Sequence, residues 1–318
     1  MLSRRIIRIK VMQALYAHYN IEDSSINTSE KQLLHSIQKS YDLYILFFLL
    51  LIEIRNYLED RIEIARQKKI PTQEDLNPNK RFINNKIIKQ IENNEKFLRF
   101  LNAKKLSWIQ YPELIKQISH ALINSNIYSE YMDDKTPSTY QKDKKFIISF
   151  LKEVIAAEEN LYTTLEEQSI YWNDEVEFVI SMVCKTISAF KEEQGEKAEL
   201  LDAYKNEDDK KFTVDLFRKS ILHGEEYKEL LKKFTKNWEI DRIAYMDILL
   251  IQLSLAEITE FPFIPVKVTM NEYIEIAKYY STEKSNIFLN GVLDQIVSFL
   301  KKENKIQKSG RGLVGEES

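Results

Sequence analysis

Glycine is scarce in this chain of 318 residues: there are six, and Gly310, Gly312 and Gly315 lie near the C-terminus, leaving Gly195, Gly224 and Gly291 for everything before them. A phosphate-cradling loop needs glycine wherever backbone must approach the ligand closely, so the P-loop, the dinucleotide fingerprint and the usual methyltransferase cofactor turn are excluded. Cysteine occurs once, at Cys184, which excludes an internal disulfide framework, Cys-rich zinc sites and CxxC redox chemistry and fits a reducing compartment. Long apolar runs are absent too. The strongest, "LYILFFLLLI" at 43–52, is ten residues between Asp42 and Glu53, about half of what spans a bilayer as a helix; it reads as a buried core helix. The opening "MLSRRIIRIKVMQALY" has no continuous apolar stretch and no small-residue cleavage site, so no secretory leader is expected. The expectation is a cytoplasmic protein with no membrane attachment.

Acid-base and metal chemistry are poorly supplied as well. A helical di-iron site wants Glu three residues before His, but Leu15, Gln32, Gln117 and Ser220 precede the four histidines, His18, His35, His120 and His223, at that spacing. There is no HExxH, nucleophile elbow or Cys-His signature. No enzymatic activity, cofactor or metal is therefore expected.

What the chain does have is helical periodicity. Hydrophobic residues make up 44% of it, recurring at three- and four-residue steps with no convincing strand alternation, so the predicted fold class is all-α. The first helix is predicted over Ser3–Tyr19. A second starts at Ser29, where "SEKQ" resembles a capping box, and stops at Pro71. The "IPTQEDLNPN" loop at 70–79 precedes a helical stretch over 80–105, a helix over 113–124 and a loop at "YMDDKTPSTYQKD". Helices follow at 140–167 and at 173–191, the latter capped by Asn173. A charged connection, 192–211, leads to helices at 213–223, 225–236, 240–259, 266–280 and 282–302, and the last sixteen residues read as disordered.

The net charge of −3 announces no polyanionic partner, so any basic site must be local. At ~100° per residue, Arg4, Arg5 and Arg8 share one arc of the first helix, with no acid before Glu22. Guanidiniums on one face suit phosphate contact and stacking on exposed RNA bases; a solvated helix end would look the same. A second basic segment, Lys80, Arg81, Lys86, Lys89, Lys96, Arg99, Lys104 and Lys105, reads as the wet side of an amphipathic helix.

Two blocks resemble the NusB family of transcription antitermination factors. "SRRIIRIKVMQALYAHY" (3–19) looks like that family's Arg-rich opening helix. "WEIDRIAYMDILLIQLSLAEI" (238–258) and "IPVKVTMNEYIEIAKYYSTEKSNIFLNGVLD" (264–294) follow its pattern of Pro, Asn-Glu, Glu-x-Ala-Lys and Asn-Gly-Val-Leu-Asp. The resemblance implies an all-helical core of two packed three-helix units. It divides the chain into a first core helix with the basic arm (1–20), a helical insertion (21–211), the remaining core helices (212–302) and the tail (303–318). It further implies binding of boxA-type leader RNA together with the ribosomal protein NusE, within an antitermination complex on RNA polymerase that supports ribosomal-RNA transcription. Carried over by motif, Arg4, Arg5, Arg8, Lys284, Ser285 and Phe288 face RNA, and Tyr16 and Asp247 face NusE. Two departures stand out: Lys284 replaces a usual acid, and Gln252 a frequent Arg. One alternative is a helical interaction scaffold of the same fold that has lost RNA binding. Another is an RNA cytosine methyltransferase carrying a NusB-like domain, disfavoured because no catalytic domain follows the motifs.

One dipeptide sits badly with the periodicity. Asn290-Gly291 is a strong turn signal, yet apolar spacing runs straight through it. Gly291 is expected at a close helix crossing that leaves no room for a Cβ, with Asn290 bonded toward Asn271.

Overall fold

The computed structural model describes residues 1–235 and 243–315, and these are helical with no strand among them, as the periodicity requires. Two compact units result, one made of Met1 and Gln38–Ala203, the other of Leu2–Ile37 and Tyr204–Ser318.

α1 (Arg4–Asn20) begins where the Ser3 hydroxyl accepts from the Ile6 amide. α2 (Ile26–Arg66) contributes its residues up to Ile37 to the second unit and the rest to the first. Its start is earlier than the sequence suggests. The Ser25 hydroxyl accepts from the Thr28 amide, whereas Ser29 is buried inside the helix and bonded to His18 and Ser24. Ser29 thus caps nothing.

The first unit packs around the apolar run. Tyr41 to Leu58 of α2 lie against Phe82, Ile87, Trp108, Phe150 and Ile187, and the Trp108 indole donates to the Leu46 carbonyl at 2.9 Å. The elements differ from the sequence reading mainly at asparagines. A one-turn helix, α3 (Gln73–Leu76), interrupts the 70–79 loop through a Thr72–Asp75 capping box. The basic stretch is two helices, α4 (Lys86–Glu92) and α5 (Glu95–Lys104), because Asn85 and Asn94 each accept two backbone amides and restart the chain. After α6 (Pro112–Ile123), Ser125 caps a further helix, α7 (Asn126–Asp133), where no helix was expected. The 140–167 segment divides into α8 (Tyr140–Ser149), a π turn at Phe150–Val154, a 3-10 turn and α9 (Glu159–Gln168). α10 (Val176–Ala189) starts without a side-chain cap, so Asn173 does not play that part.

The second unit is built on α13 (Tyr245–Glu260), in which every residue from Leu249 to Ile258 is buried. A helix buried on every side must be enclosed by others, and its polar Gln252, Ser254 and Glu257 must find partners there. α1, α11 (Glu207–Leu222), α12 (Gly224–Phe234), α14 (Val266–Tyr280) and α15 (Ser285–Lys302) all pack on it. The predicted start of this helix, and Trp238 with it, lie outside the described residues. α15 stays helical through Asn290-Gly291 because Leu289, Val292, Leu293, Ile296 and Leu300 are buried along one stripe while the dipeptide faces out.

The segment read as a disordered tail is, over 303–315, folded back on the α13–α14 connection. The Ser309 amide donates to the Pro262 carbonyl at 3.0 Å, Lys308 Nζ donates to the Phe261 carbonyl at 2.9 Å, and Gly312 is buried.

Candidate nucleic-acid interface

The three arginines of α1 separate into two kinds. Arg8 is 3% exposed and donates through Nη2 and Nε to the two oxygens of Glu257, which is itself fully buried on α13, at 2.6 and 2.8 Å. Thr269 and Tyr273 of α14 donate to the same carboxylate at 2.8 and 3.3 Å. Burial opposes the charge on Arg8, but Glu257 outweighs it and the guanidinium is held protonated. Burial, with Glu257 next to it, pushes the Tyr273 phenol well above its ordinary value. This is a core cross-link between α1, α13 and α14, so Arg8 does not share the exposed arc expected of it: an acid 249 positions away draws it inward.

Arg4 and Arg5 remain accessible, at 42% and 50% side-chain exposure. Each is held by an acid from another helix. Arg5 makes a two-point contact with Glu272 of α14, both bonds 2.8 Å, and Arg4 Nε donates to Asp209 of α11 at 2.9 Å while its guanidinium lies over the Phe212 ring. The hydrogen bond from Arg5 is the main cause that holds the Glu272 carboxyl below its ordinary range. Sequence reasoning missed these acids, although Glu272 stands in the quoted "NEYIEIAK" stretch.

The turn before α15 is organised from beneath. Asp247 is 4% exposed, and its two oxygens accept from the Ser281 and Ser285 hydroxyls at 2.6 and 2.8 Å. Ser285 also accepts from the Thr282 amide. Asp247 and Ser285, expected to face NusE and RNA respectively, are thus bonded to each other in the interior. That arrangement leaves Lys284 exposed at the N-terminus of α15 and Phe288 partly buried. Together with Ile287, which is 73% exposed, they line a groove of about 530 Å³ that also takes in Phe234, Gly291 and Gln295.

Gly291 therefore opens onto a groove rather than a helix crossing: among the described residues, a Cβ built there meets nothing within 4 Å. Asn290 donates to Asp294 one turn along, not to Asn271. The close approach exists elsewhere, at Gly224. A Cβ there would lie 2.8 Å from the Tyr19 hydroxyl and 2.9 Å from Gln252 Nε2, which are bonded to each other and, through Gln252, to the Ser220 carbonyl. Gln252, where a charge had been considered missing, is 2% exposed and ties α13 to α1 and α11. Tyr16 keeps 44% exposure and meets Tyr245, 43% exposed, edge to face at 5.7 Å, an aromatic pair open to solvent.

Half of the second basic segment is matched by acids: Lys80 to Glu63, Arg81 to Asp134, Lys86 to Glu192 and Lys96 to Asp202. Cys184 is buried and its thiol is pushed up by that burial. Among the described residues no group of three potential metal ligands occurs, and no helix is long and apolar enough to cross a membrane.

Comparison with known proteins gives a consistent picture. The model of the NusB family matches residues 177–298. The transcription antitermination protein NusB of Salinibacter ruber (strain DSM 13855 / M31) is 37% identical over 139 residues, covering 42% of this chain and 87% of that protein. Those of Chloroherpeton thalassium and Natranaerobius thermophilus are 39% and 42% identical over 105 and 74 residues, covering 33% and 23% of this chain and 50% and 53% of theirs. No solved structure matches the chain. The family match opens in α10, a helix of the first unit, whereas the N-terminal helix packed on α11 and α13 in the second unit is α1.

Proposed function

The chain belongs to the NusB family, and from that premise we propose that it is a transcription antitermination and elongation factor that binds boxA-type leader RNA together with the ribosomal protein NusE. It works in the cytoplasm, without catalysis of its own, as part of an antitermination complex on RNA polymerase that supports ribosomal-RNA transcription. The observation that carries this reading is the coincidence of its relatives' antitermination role with two exposed arginines on α1 and an open groove carrying Lys284, Ile287 and Phe288 on α15.

In this reading Arg4, Arg5 and Lys284 meet phosphate, and Phe288 and Ile287 supply apolar surface for unstacked bases. Arg8 and Ser285 act from the interior, by fixing α1 and the 281–285 turn. Tyr16, beside Tyr245, faces NusE, and Asp247 supports that region from within. The segment 21–211 is an insertion into the family core, its compact part being Gln38–Ala203.

The pairing of Arg4 with Asp209 and of Arg5 with Glu272 favours a second reading, a scaffold whose arm is spent on internal contacts. Fluorescence anisotropy of a labelled boxA-like RNA separates the two. Arg4→Ala with Arg5→Ala weakens binding and flattens its salt dependence if the arm meets RNA, and an unchanged affinity supports the scaffold.

A further inference from the structure

The folded-back tail, which lies beyond the 177–298 family match, forms a surface together with the α13–α14 connection inside it. Phe263, in the connection between α13 and α14, is 68% exposed. An isolated exposed phenylalanine needs no explanation, but this one is framed by three tail glycines. Gly310 lies against its ring, where a Cβ would be 3.6 Å from the ring carbon Cδ1. Gly312 presses onto the preceding residue, and a Cβ there would fall 1.9 Å from the Pro262 carbonyl oxygen, so no other side chain permits the docking. Gly315 covers the aliphatic part of Lys267, 3.4 Å from where its Cβ would stand. Gly310 and Gly315 both have positive φ, 53° and 84°, conformations that favour glycine.

The docking gathers charge of one sign. No acid occurs in 261–270 or in 304–315, while Lys267, Lys305, Lys308 and Arg311 do; Lys305 pairs with Glu226, whereas neither Lys267 nor Arg311 forms an ion pair among the described residues. The same end of the second unit carries the arm: Phe261, whose carbonyl receives Lys308, packs edge to face on Phe212 at 5.1 Å, and Phe212 lies under Arg4 at 5.1 Å. An exposed ring beside two cations, Lys267 and Arg311, with no ion pair among the described residues is an arrangement that suits single-stranded RNA, stacking for a base and charge for its phosphates.

We propose that the docked tail and Phe263 form an additional single-stranded RNA contact, in which a base stacks on Phe263 and Lys267 and Arg311 hold the flanking phosphates, extending the track that starts at Arg4 and Arg5. This rests on the RNA-binding reading of α1, and the experiment keeps the two apart. The probe is a boxA-like RNA extended by single-stranded uridines at both ends, and the full chain is compared with Phe263→Ala, with Lys267→Ala/Arg311→Ala, with Gly312→Val, and with Arg4→Ala/Arg5→Ala. Stacking on Phe263 is worth at least about fivefold in affinity, and loss of two phosphate contacts flattens the slope of log affinity against log salt by about 1.4 units. Gly312→Val keeps every charge but undocks the tail, and is expected to weaken binding as Phe263→Ala does. If the tail and Phe263 variants match wild type while the arm variant weakens, the tail contact is overturned and the arm stands. If the reverse holds, the arm is overturned and the tail stands. A Gly312→Val chain that binds normally shows that the tail acts as loose charge only and overturns the docked site. An absence of RNA binding by the wild type overturns both, and a loss of NusE capture at unchanged RNA affinity makes the patch a protein-docking face and overturns the tail contact.

Discussion

Replacing Arg8 by Met separates a structural arginine from its two surface-exposed neighbours. The Glu257 carboxylate is fully buried and receives two bonds from Arg8, at 2.6 and 2.8 Å, with single bonds from Thr269 and Tyr273. Without Arg8 an ionised carboxylate stays in the core with only two neutral donors, a situation that costs about 3–5 kcal/mol. That is a large share of the roughly 5–15 kcal/mol by which a domain is stable. Arg4 and Arg5 lie at the surface, where losing an ion pair costs about 0–1 kcal/mol. Urea unfolding followed by the far-ultraviolet helix signal should move the Arg8→Met midpoint sharply down with little change in slope, and leave Arg4→Ala near wild type. Adding Glu257→Gln to Arg8→Met removes the unpaired charge yet keeps an acceptor for Thr269 and Tyr273, so it should recover most of the loss. A single variant that loses under about 1 kcal/mol, or a double variant no better than the single, would show that the pair is not a core cross-link.

Gly291→Ala should raise the thermal midpoint, since among the described residues the new methyl meets nothing within 4 Å and alanine gains roughly 1 kcal/mol over glycine within a helix; a lowered midpoint would reinstate a close crossing. Asp247→Ala strips the acceptor from two serines and should destabilise by roughly 2–4 kcal/mol in chemical denaturation, with faster amide exchange at Ser285. Stability unchanged with NusE binding lost would instead make Asp247 an outward-facing contact. Glu272 titrates below its ordinary 4.5, so its contribution is present above that value and disappears as pH falls through the lowered one. Wild type should therefore exceed Glu272→Gln in stability at neutral pH, with the gap closing in acid; a gap constant down to acid pH would refute the linkage.

The helices of the second unit were legible where burial sets their periodicity: α1, α14 and α15 fall within a residue or a few of expectation, whereas the burial of Gln252, Ser254 and Glu257 in α13 depends on partners from other helices that spacing does not show. Inside the first unit, boundaries depend on whether an asparagine side chain turns back onto backbone amides. Asn85 and Asn94 do and Asn173 does not, a choice made by tertiary surroundings that spacing cannot convey. The arm was only partly readable for the same reason. A helical wheel puts Arg8 between Arg4 and Arg5, but whether it points to water depends on Glu257, which is remote in sequence. Asn290-Gly291 was misread because a glycine amid apolar residues looks like a packing device. In the fold the same spacing puts it on the open side of the stripe, facing the groove.

The most direct test of the antitermination reading is the affinity of the full chain for a boxA-like RNA, measured with and without NusE at one fixed salt concentration. Binding to RNA that tightens when NusE is added, with the reciprocal gain in NusE affinity that linkage demands, is the expected result. RNA affinity that is undetectable both with and without NusE would contradict it.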